Sequence, residues 1–421
     1  MTIRRPEIKP VSLPAIPHYR VIRTEAGTPL YTLHNSTQGV VRVSFVFRAG
    51  TSTQSIPFTA STVVNTLSEG TTLHSGKEIA EALDFVGSYY DANIDRDWAV
   101  VTFCSLKKFV GPTLDVAEEV VLHPTFPERE IASYCAKRKE QLHIQRSKPD
   151  QLSRELFGKA LFGPEHPYGV TSPEECYDNI TPEILRQFYQ SHYNASESFA
   201  IICGDFGEAE ESRVLSILEG LPAGSCTGCN IPEPTPTPLA TLCLEGAVQS
   251  SLKLGIPLFP RTHPDFIPMQ IIATAMGGYF GSRLMQNLRE EHGYTYGAYA
   301  AMINLDKAGY FVMSADVAAD HTEEAVAEMF AEMERMASEP MDEEELSIVR
   351  KIIVGDVIRI FDGPFGAADV TIENIQNGEQ NDYTERIMER VATITAKELQ
   401  EVASKYLKKN RTTVTIVGPE R

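Results

Sequence analysis

The sequence predicts an α+β protein made of two similar domains in tandem. Three observations carry this expectation: a length of 421 residues, a proline-rich segment near the middle, and a helix–break–strand pattern that recurs at the end of each half. A chain of that length exceeds one ordinary core and fits two domains of about 200 residues each. The segment Leu221 to Leu239 reads LPAGSCTGCNIPEPTPTPL. Its recurring prolines favour an extended, polyproline-like spacer. The expected boundaries are therefore a domain at 1–220, a linker at 221–240 and a domain at 241–421.

In the first half, Val41, Val43, Phe45 and Phe47 alternate with Arg42, Ser44 and Val46, the period of a strand with one well-packed face. Ala60, Val63, Val64 and Leu67 then fall at i, i+3, i+4 and i+7, so a helix follows. A second helix runs from Lys77 towards Gly87, a residue suited to stopping it. Strands fit Ser88 to Asn93 and Ala99 to Phe103, and long helices fit Gly111 to Leu122 and Glu128 to Arg146. The duplication is sharpest at the ends of the halves. Thr181-Pro-Glu-Ile-Leu runs through Phe188 and Tyr193 to Ile202-Cys-Gly204, and Thr395-Ala-Lys-Glu-Leu runs through Val402 and Leu407 to Ile416-Val-Gly418. Each is a Thr-capped helix, a short break and a strand ending in Gly, without a gap between the two copies. Upstream, Phe126-Pro-Glu-Arg-Glu-Ile and Met341-Asp-Glu-Glu-Glu-Leu each open a long helix.

Composition excludes several classes of function. The chain is 42% hydrophobic and 23% charged, as folded soluble proteins are, and its formal net charge is −19. Phosphate binding needs a basic footprint, so neither nucleic acid nor an anionic membrane is an expected partner. Met1 to Pro10 is charged and contains proline, and no apolar signal core follows it. No stretch approaches the ~18 apolar residues of a membrane span. The seven cysteines are scattered and odd in number, which fits a cytoplasmic setting better than a disulfide framework. Cys226 and Cys229 form an isolated C-x-x-C without the second pair that a structural zinc requires, and read as incidental to the linker.

Catalytic motifs are missing. A helical zinc site needs two histidines about one turn apart. The ten histidines come no nearer than His18 and His34, which have fifteen residues between them, and neither H-E-x-x-H nor H-x-x-E-H occurs. G-x-S-x-G, G-x-G-x-x-G and the P-loop pattern are absent as well.

The segment Gly277-Gly-Tyr-Phe-Gly-Ser-Arg-Leu-Met-Gln-Asn-Leu-Arg289-Glu-Glu-His-Gly293-Tyr-Thr-Tyr296 resembles the C-terminal-domain signature of the pitrilysin/insulinase zinc-peptidase family. Arg48-Ala-Gly-Thr-Ser, Gly70-Thr71, His166-Pro-Tyr-Gly169, Phe188-Tyr, Tyr193 and Gly204-Asp205 extend the resemblance over nearly the whole chain. It implies two α+β domains, each a mostly antiparallel sheet with helices packed on one face. In the family, the helix before Gly-Thr carries the inverted zinc motif. Counting back from Gly70-Thr71 puts Ser61 and Asn65 at the first two ligand positions and Val64 at the general-base position. The third ligand falls near Gln141, with Glu140 beside it. None of the four can do the family's chemistry, since a catalytic zinc wants three protein ligands and a base must take a proton from water.

Arg289 and Tyr296 survive. The resemblance implies that they are presented to a bound peptide as catalytic and substrate-binding residues. A guanidinium fork holds carbonyls bidentately, and a phenol donates to the oxygen that becomes negative in the transition state. With Arg289 on the last helical turn and Tyr296 on the next strand, a fold at Gly293 brings both towards one cavity. Ser282, Arg283 and Asn287 read as helix-start and surface residues, and Gly277, Gly278 and Gly281 as tight-turn and close-approach positions. His166-Pro-Tyr-Gly reads as a turn with a packed Tyr, and Trp98 as core.

The resemblance thus implies the non-catalytic, substrate-binding subunit of a heterodimeric zinc metallopeptidase acting on unstructured peptides. This chain would hold no cofactor, and zinc would sit in a homologous partner subunit. The edge strand near Ser88 to Asn93 would pair with the peptide backbone. A homodimer of the isolated chain is compatible with this. The competing expectations are a scaffold or peptide-binding protein with no role in hydrolysis, and an autonomous peptidase with an unconventional metal site.

Overall fold

Two sheets of matching topology organise the molecule. The computed structural model describes residues 16–224, 231–361, 363 and 365–420; Cys226 and Cys229 lie outside the described residues. The first sheet contains β1 (Arg20–Arg23), β2 (Pro29–His34), β3 (Val40–Phe47), β4 (Tyr89–Ile94), β5 (Ala99–Leu106) and β6 (Ser198–Gly204), in the order β1-β2-β6-β3-β5-β4. The second contains β7 (Leu239–Cys243), β8 (Gln249–Leu258), β9 (Thr295–Asn304), β10 (Gly309–Ala318) and β11 (Thr413–Gly418), in the order β7-β11-β8-β10-β9. With β1 set aside, the two orders correspond strand for strand. Each sheet has one parallel pair, β2 with β6 and β7 with β11, and is otherwise antiparallel.

The first half supplies helices α1 (Thr59–Thr66), α2 (Gly76–Val86), α3 (Val110–Leu122), α4 (Glu128–Gln145), α5 (Pro149–Phe162), α6 (Pro182–His192) and α7 (Glu208–Glu219). The second supplies α8 (Phe266–Gly277), α9 (Thr322–Ser338), α10 (Glu343–Ile360), α11 (Gly366–Gln376), α12 (Tyr383–Thr393) and α13 (Ala396–Tyr406). The expected caps are in place. Thr181 accepts a hydrogen bond from the Ile184 backbone N–H, and Thr395 forms a reciprocal capping box with Glu398. Gly87 ends α2 in the left-handed region, where a β-carbon is costly.

In each half, one sheet face packs on that half's own helices. Val41, Val43, Phe45 and Phe47 bury against α1, α3 and α6 residues such as Val63, Leu114 and Leu185. Leu252, Leu254 and Ile256 bury in the same way against α8, α9 and α13. The opposite faces are covered by exchange. Helix α11, from the second half, places Ala367, Ala368 and Ile372 over Val46, Phe199, Ile201 and Cys203 of the first sheet. Helix α5, from the first half, lies across β8 and β11 of the second sheet. Phe157 sits so close to β8 that a β-carbon on Gly255 would fall 2.4 Å from its ring. Each fully buried Phe or Leu at these contacts contributes about 2–3 kcal/mol of transfer free energy. Val46, outward-facing by simple alternation, is therefore buried as fully as its neighbours.

Polar contacts close the joint between the halves. Arg48 pairs with Asp306 at 2.7 Å and lies over the Trp98 ring at 4.4 Å. Buried Asp97 accepts hydrogen bonds from Ser52 Oγ (3.1 Å), Tyr168 Oη (2.8 Å) and the Asp306 backbone N–H (3.0 Å). The tyrosine of the His166-Pro-Tyr-Gly turn bonds Asp97 within the first half and packs against Ala308 and Val312 of the second. His166 Nδ1 accepts from the Tyr168 N–H, and Nε2 faces the Pro232 carbonyl at 2.9 Å.

Candidate functional site

The first candidate region lies between α1 and α4. Helix α1 buries Ala60, Val63 and Val64 completely, which turns Ser61 and Asn65 to the opposite side. The Ser61 hydroxyl donates to the Phe58 carbonyl at 3.1 Å, and the Asn65 amide donates to the Ser61 carbonyl at 2.7 Å. Both are engaged with α1's own backbone. Gln141 on α4 accepts a hydrogen bond from Arg138 at 3.1 Å. Between the helices stands Tyr177, its ring stacked on Phe58 with centroids 4.1 Å apart. Burial pushes its phenol pKa up, while Arg138 and Ser61, its polar neighbours, pull it down. The structure therefore brings Ser61 and the α4 helix together through Tyr177, and it adds a residue that sequence reasoning passed over, Arg138.

This donor set does not fit a zinc ion. Ser61, Asn65 and Gln141 are neutral, Val64 is in the core, and a guanidinium stands beside them where a divalent cation would be repelled. Glu140 lines a groove between α4 and the turn at 174–179, together with Lys139, His143 and Glu174. Among the described residues, no group of three or more His, Cys, Asp or Glu side chains is placed to hold a metal ion.

The second candidate region is the start of β9, the free edge of the second sheet. The residues before it, Met285–Glu291, form one turn of π-helix carrying Arg289. Such turns are uncommon and frequently mark functional sites. Gly293 reverses the chain with φ +70°, and Thr295 begins the strand. The pairing of β9 with β10 shifts register here. Ala298 faces Ala315 and Thr295 faces Val317, so Tyr296 and Gly297 together oppose Asp316 in a β-bulge. Thr295 pins the bulge by donating to the Asp316 carbonyl at 2.6 Å and accepting from the Gly297 N–H at 3.1 Å. The bulge keeps Thr295 and Ala298 on the core side and drives Tyr296 outward, where it is 90% exposed. Arg289 is 36% exposed and contacts Glu290 (3.4 Å) and the Phe280 ring, 4.6 Å from its centroid. Phe280 and Tyr299 are also exposed, giving an open aromatic and cationic patch.

Arg289 and Tyr296 belong to this open patch and do not line the cleft at the joint between the halves. That cleft, about 500 Å³, is framed by α8, α10, α11, α12 and the turns after β4 and β9. The reading of Ser282, Arg283 and Asn287 as helix-start and surface residues needs correction. Ser282 and Asn287 are buried. Asn287 donates to Glu328 (2.9 Å) and Glu332 (3.0 Å), and Arg283 grips Glu345 with two bonds of 2.7 and 2.8 Å. These residues anchor the π-turn from beneath. The glycines behave as expected. A β-carbon on Gly277 would lie 2.0 Å from the Ala300 nitrogen, so only glycine lets α8 approach β9. The bulge was signalled only by the Thr-x-Gly at its base.

The fold and this constellation define a two-domain, inverted-zinc-peptidase-like protein. Residues 33–166 match the family model described as insulinase (peptidase family M16), and residues 179–353 match that of the peptidase M16 inactive domain. The chain belongs to the M16, or insulinase, peptidase family. An uncharacterized zinc protease of Rickettsia felis is 23% identical over 356 residues, 83% of this chain and 85% of that one. The uncharacterized zinc protease YmxG of Bacillus subtilis is 24% identical over 273 residues, 63% of this chain and 66% of that one. Among solved structures, a peptidase M16 inactive domain from Pseudomonas fluorescens superposes with a TM-score of 0.85 at 22% identity, covering 96% of this chain and 98% of that one. A protease from Helicobacter pylori gives 0.87 at 16% identity, covering 96% and 100%. These superpositions concern the fold.

Proposed function

We propose that this chain is the non-catalytic, substrate-binding subunit of a heterodimeric zinc metallopeptidase that cleaves unstructured peptides. A homologous chain carries the zinc, and this one contributes Arg289 and Tyr296 to the shared site. The observation that carries the reading is the contrast between the two regions. The metal positions are occupied by neutral or apolar side chains beside a guanidinium, while a bulge and a π-turn present Tyr296 and Arg289 to solvent. In this reading Arg289 holds substrate carbonyls and the Tyr296 hydroxyl donates to the developing oxyanion. The peptide backbone pairs with β4, which lies at the end of its sheet.

A cytoplasmic setting is part of the same reading. The free thiols of Cys104, Cys135, Cys176, Cys203 and Cys243 are in keeping with a reducing compartment. No helix among the described residues is long and apolar enough to cross a membrane.

The test is reconstitution. Peptide cleavage is measured for the chain alone, with a co-expressed zinc-bearing homologue, and with Arg289→Ala or Tyr296→Phe in this chain. Silence alone, turnover with the partner and a fall in kcat from either substitution is the expected pattern. Turnover that ignores both substitutions reduces the chain to a scaffold. Zinc-dependent cleavage by the chain alone overturns the proposal.

A further inference from the structure

Helix α5 is held to the second sheet in two different ways along its length. At its C-terminal end, Phe157, Leu161 and Phe162 pack with Tyr168, Ala308 and Val312. The linker straps the same end down, since the Thr235 and Thr237 backbone N–H groups donate to the Phe162 and Ala160 carbonyls at 2.9 and 2.8 Å. In the middle, Glu155 is tied to Arg146 at 3.0 Å. Residues 149–154 rest instead on a polar floor.

Strand register lays that floor. Lys253 on β8 sits between Thr415 of β11 and Ser314 of β10. Ser251 and Gly255, two positions either side, share its face of the strand. Phe157 stands over Gly255 and Asp150 reaches Lys253, so the fully buried Ser153 between them lies over the same floor. Among the described residues, Ser153 Oγ, Ser251 Oγ and Thr413 Oγ1 are buried without a hydrogen-bond partner. Lys253 is 4% exposed, and its Nζ has Ser314 Oγ at 3.4 Å and Asp150 Oδ1 at 3.7 Å. Both are long for a charge-assisted bond, which runs at about 2.7–2.9 Å. Asp150 is itself exposed and is shared with Arg154. Burial pushes the Lys253 pKa below its ordinary value, although Asp150 and Asp316 pull it up. The covered position is therefore a costly one for an ammonium.

We propose that residues 149–154 are a releasable cover, which lifts from the second sheet while the rest of α5 stays, and that Lys253 is the residue that loosens it. Opening returns the ammonium to water and breaks two contacts that are both long. A helix start freed from its sheet cannot hold its own turns, so lifting and fraying are one event. Lifting uncovers a cation in one row with Tyr299, which faces Ser314 from β9 and is exposed. Two strand spacings, about 10 Å, separate Lys253 from Tyr299. The open form thus carries a positive charge on the sheet face beside the aromatic patch, and the closed form hides it. None of this depends on the peptidase reading.

Hydrogen exchange followed by mass spectrometry on the full-length chain tests the cover. By the helical i→i−4 pattern, the amides of residues 153–157 bond to the carbonyls of 149–153 and report the cover, while those of 160–162 report the anchored end. In wild type the first group is expected to exchange at least about tenfold faster than the second. Lys253→Met removes the ammonium and strands no buried charge, because Asp150 keeps Arg154 and water. It is expected to slow the first group about tenfold and leave the second unchanged, as replacing a buried ion by an apolar side chain does. An ion pair that held the helix down would give the reverse, so faster or unchanged exchange in Lys253→Met overturns the inference. A second measurement uses wild type alone, treated with an amine-reactive ester. Lys253 is expected to be acylated while the amides of 160–162 are still unexchanged. A Lys253 that stays unmodified until those amides exchange shows that it is uncovered only by wider unfolding, and overturns the inference as well.

Discussion

The two candidate regions of this molecule differ in where they are irregular and in what they expose. At α1 and α4 the backbone is regular helix and the side chains are satisfied internally. Ser61 and Asn65 bond to their own helix, and Val64 is core. At the start of β9 the backbone itself departs from regularity, with a π-turn, a left-handed glycine and a bulge within thirteen residues of chain, from Met285 to Gly297. Irregular backbone costs free energy and persists where the surroundings over-determine it. Here Arg283–Glu345, Asn287–Glu332 and the Thr295 hydroxyl do so. In the first region side chains on regular helices satisfy one another, whereas the second is held by buried polar anchors beneath an exposed surface.

The comparison can be broken most forcefully at the exchanged helices. Phe157→Ala in α5 removes a buried ring from the second sheet and is expected to cost about 3–5 kcal/mol. Ile372→Ala in α11 is expected to cost about 2–4 kcal/mol on the first. Denaturant unfolding monitored at Trp98, the only tryptophan and a neighbour of the α11 contact, checks both. If either substitution destabilises only one half, the halves are less interdependent than the packing requires.

Next in size is the effect on catalysis. Tyr296→Phe in the reconstituted pair is expected to lower kcat about 100-fold, as loss of one oxyanion donor does, with the melting temperature unchanged because the residue is exposed. Asn287→Ala should move both quantities, since it leaves Glu332 buried without its amide partner.

The caps sharpen the comparison between the copies. Thr395→Ala breaks a reciprocal box and Thr181→Ala a single bond, so losses of about 1 kcal/mol should be larger for Thr395 in thermal melts. The smallest effect is with pH. Burial lowers the pKa values of His166, His192 and His263 below the ordinary 6.5. A depressed folded value means that the neutral form is the stable one. Stability from these groups is full above 6.5 and falls as the pH drops towards the folded values. A melting temperature that rises on acidification from 7 to 5.5 contradicts this for His166, whose Nδ1 must accept from the Tyr168 N–H.

Much of this was legible in the sequence because it is encoded locally. The alternation in β3, the Thr-capped helices before β6 and β11, and the glycine stop after α2 all follow from residues near in sequence. What escaped depends on distant partners. An amphipathic helix declares that it has an apolar face, not which sheet receives it, so the exchange of α5 and α11 was invisible. Asn287 and Arg283 looked like surface residues because their acidic partners lie 41 to 62 positions further along the chain.

The crossing of α5 and α11 bears on synthesis. As the chain leaves the ribosome, the first sheet is complete once β6 has emerged at Gly204, yet Val46, Phe199 and Ile201 stay bare until α11 arrives, ending at Gln376. Meanwhile α5 is already made and has no sheet to lie on. For that interval the nascent chain presents an adhesive apolar face and an unclaimed helix, which is where a chaperone would bind and where assembly with the wrong copy would begin. Covering of the first sheet's outer face therefore waits for a helix made long after the sheet itself.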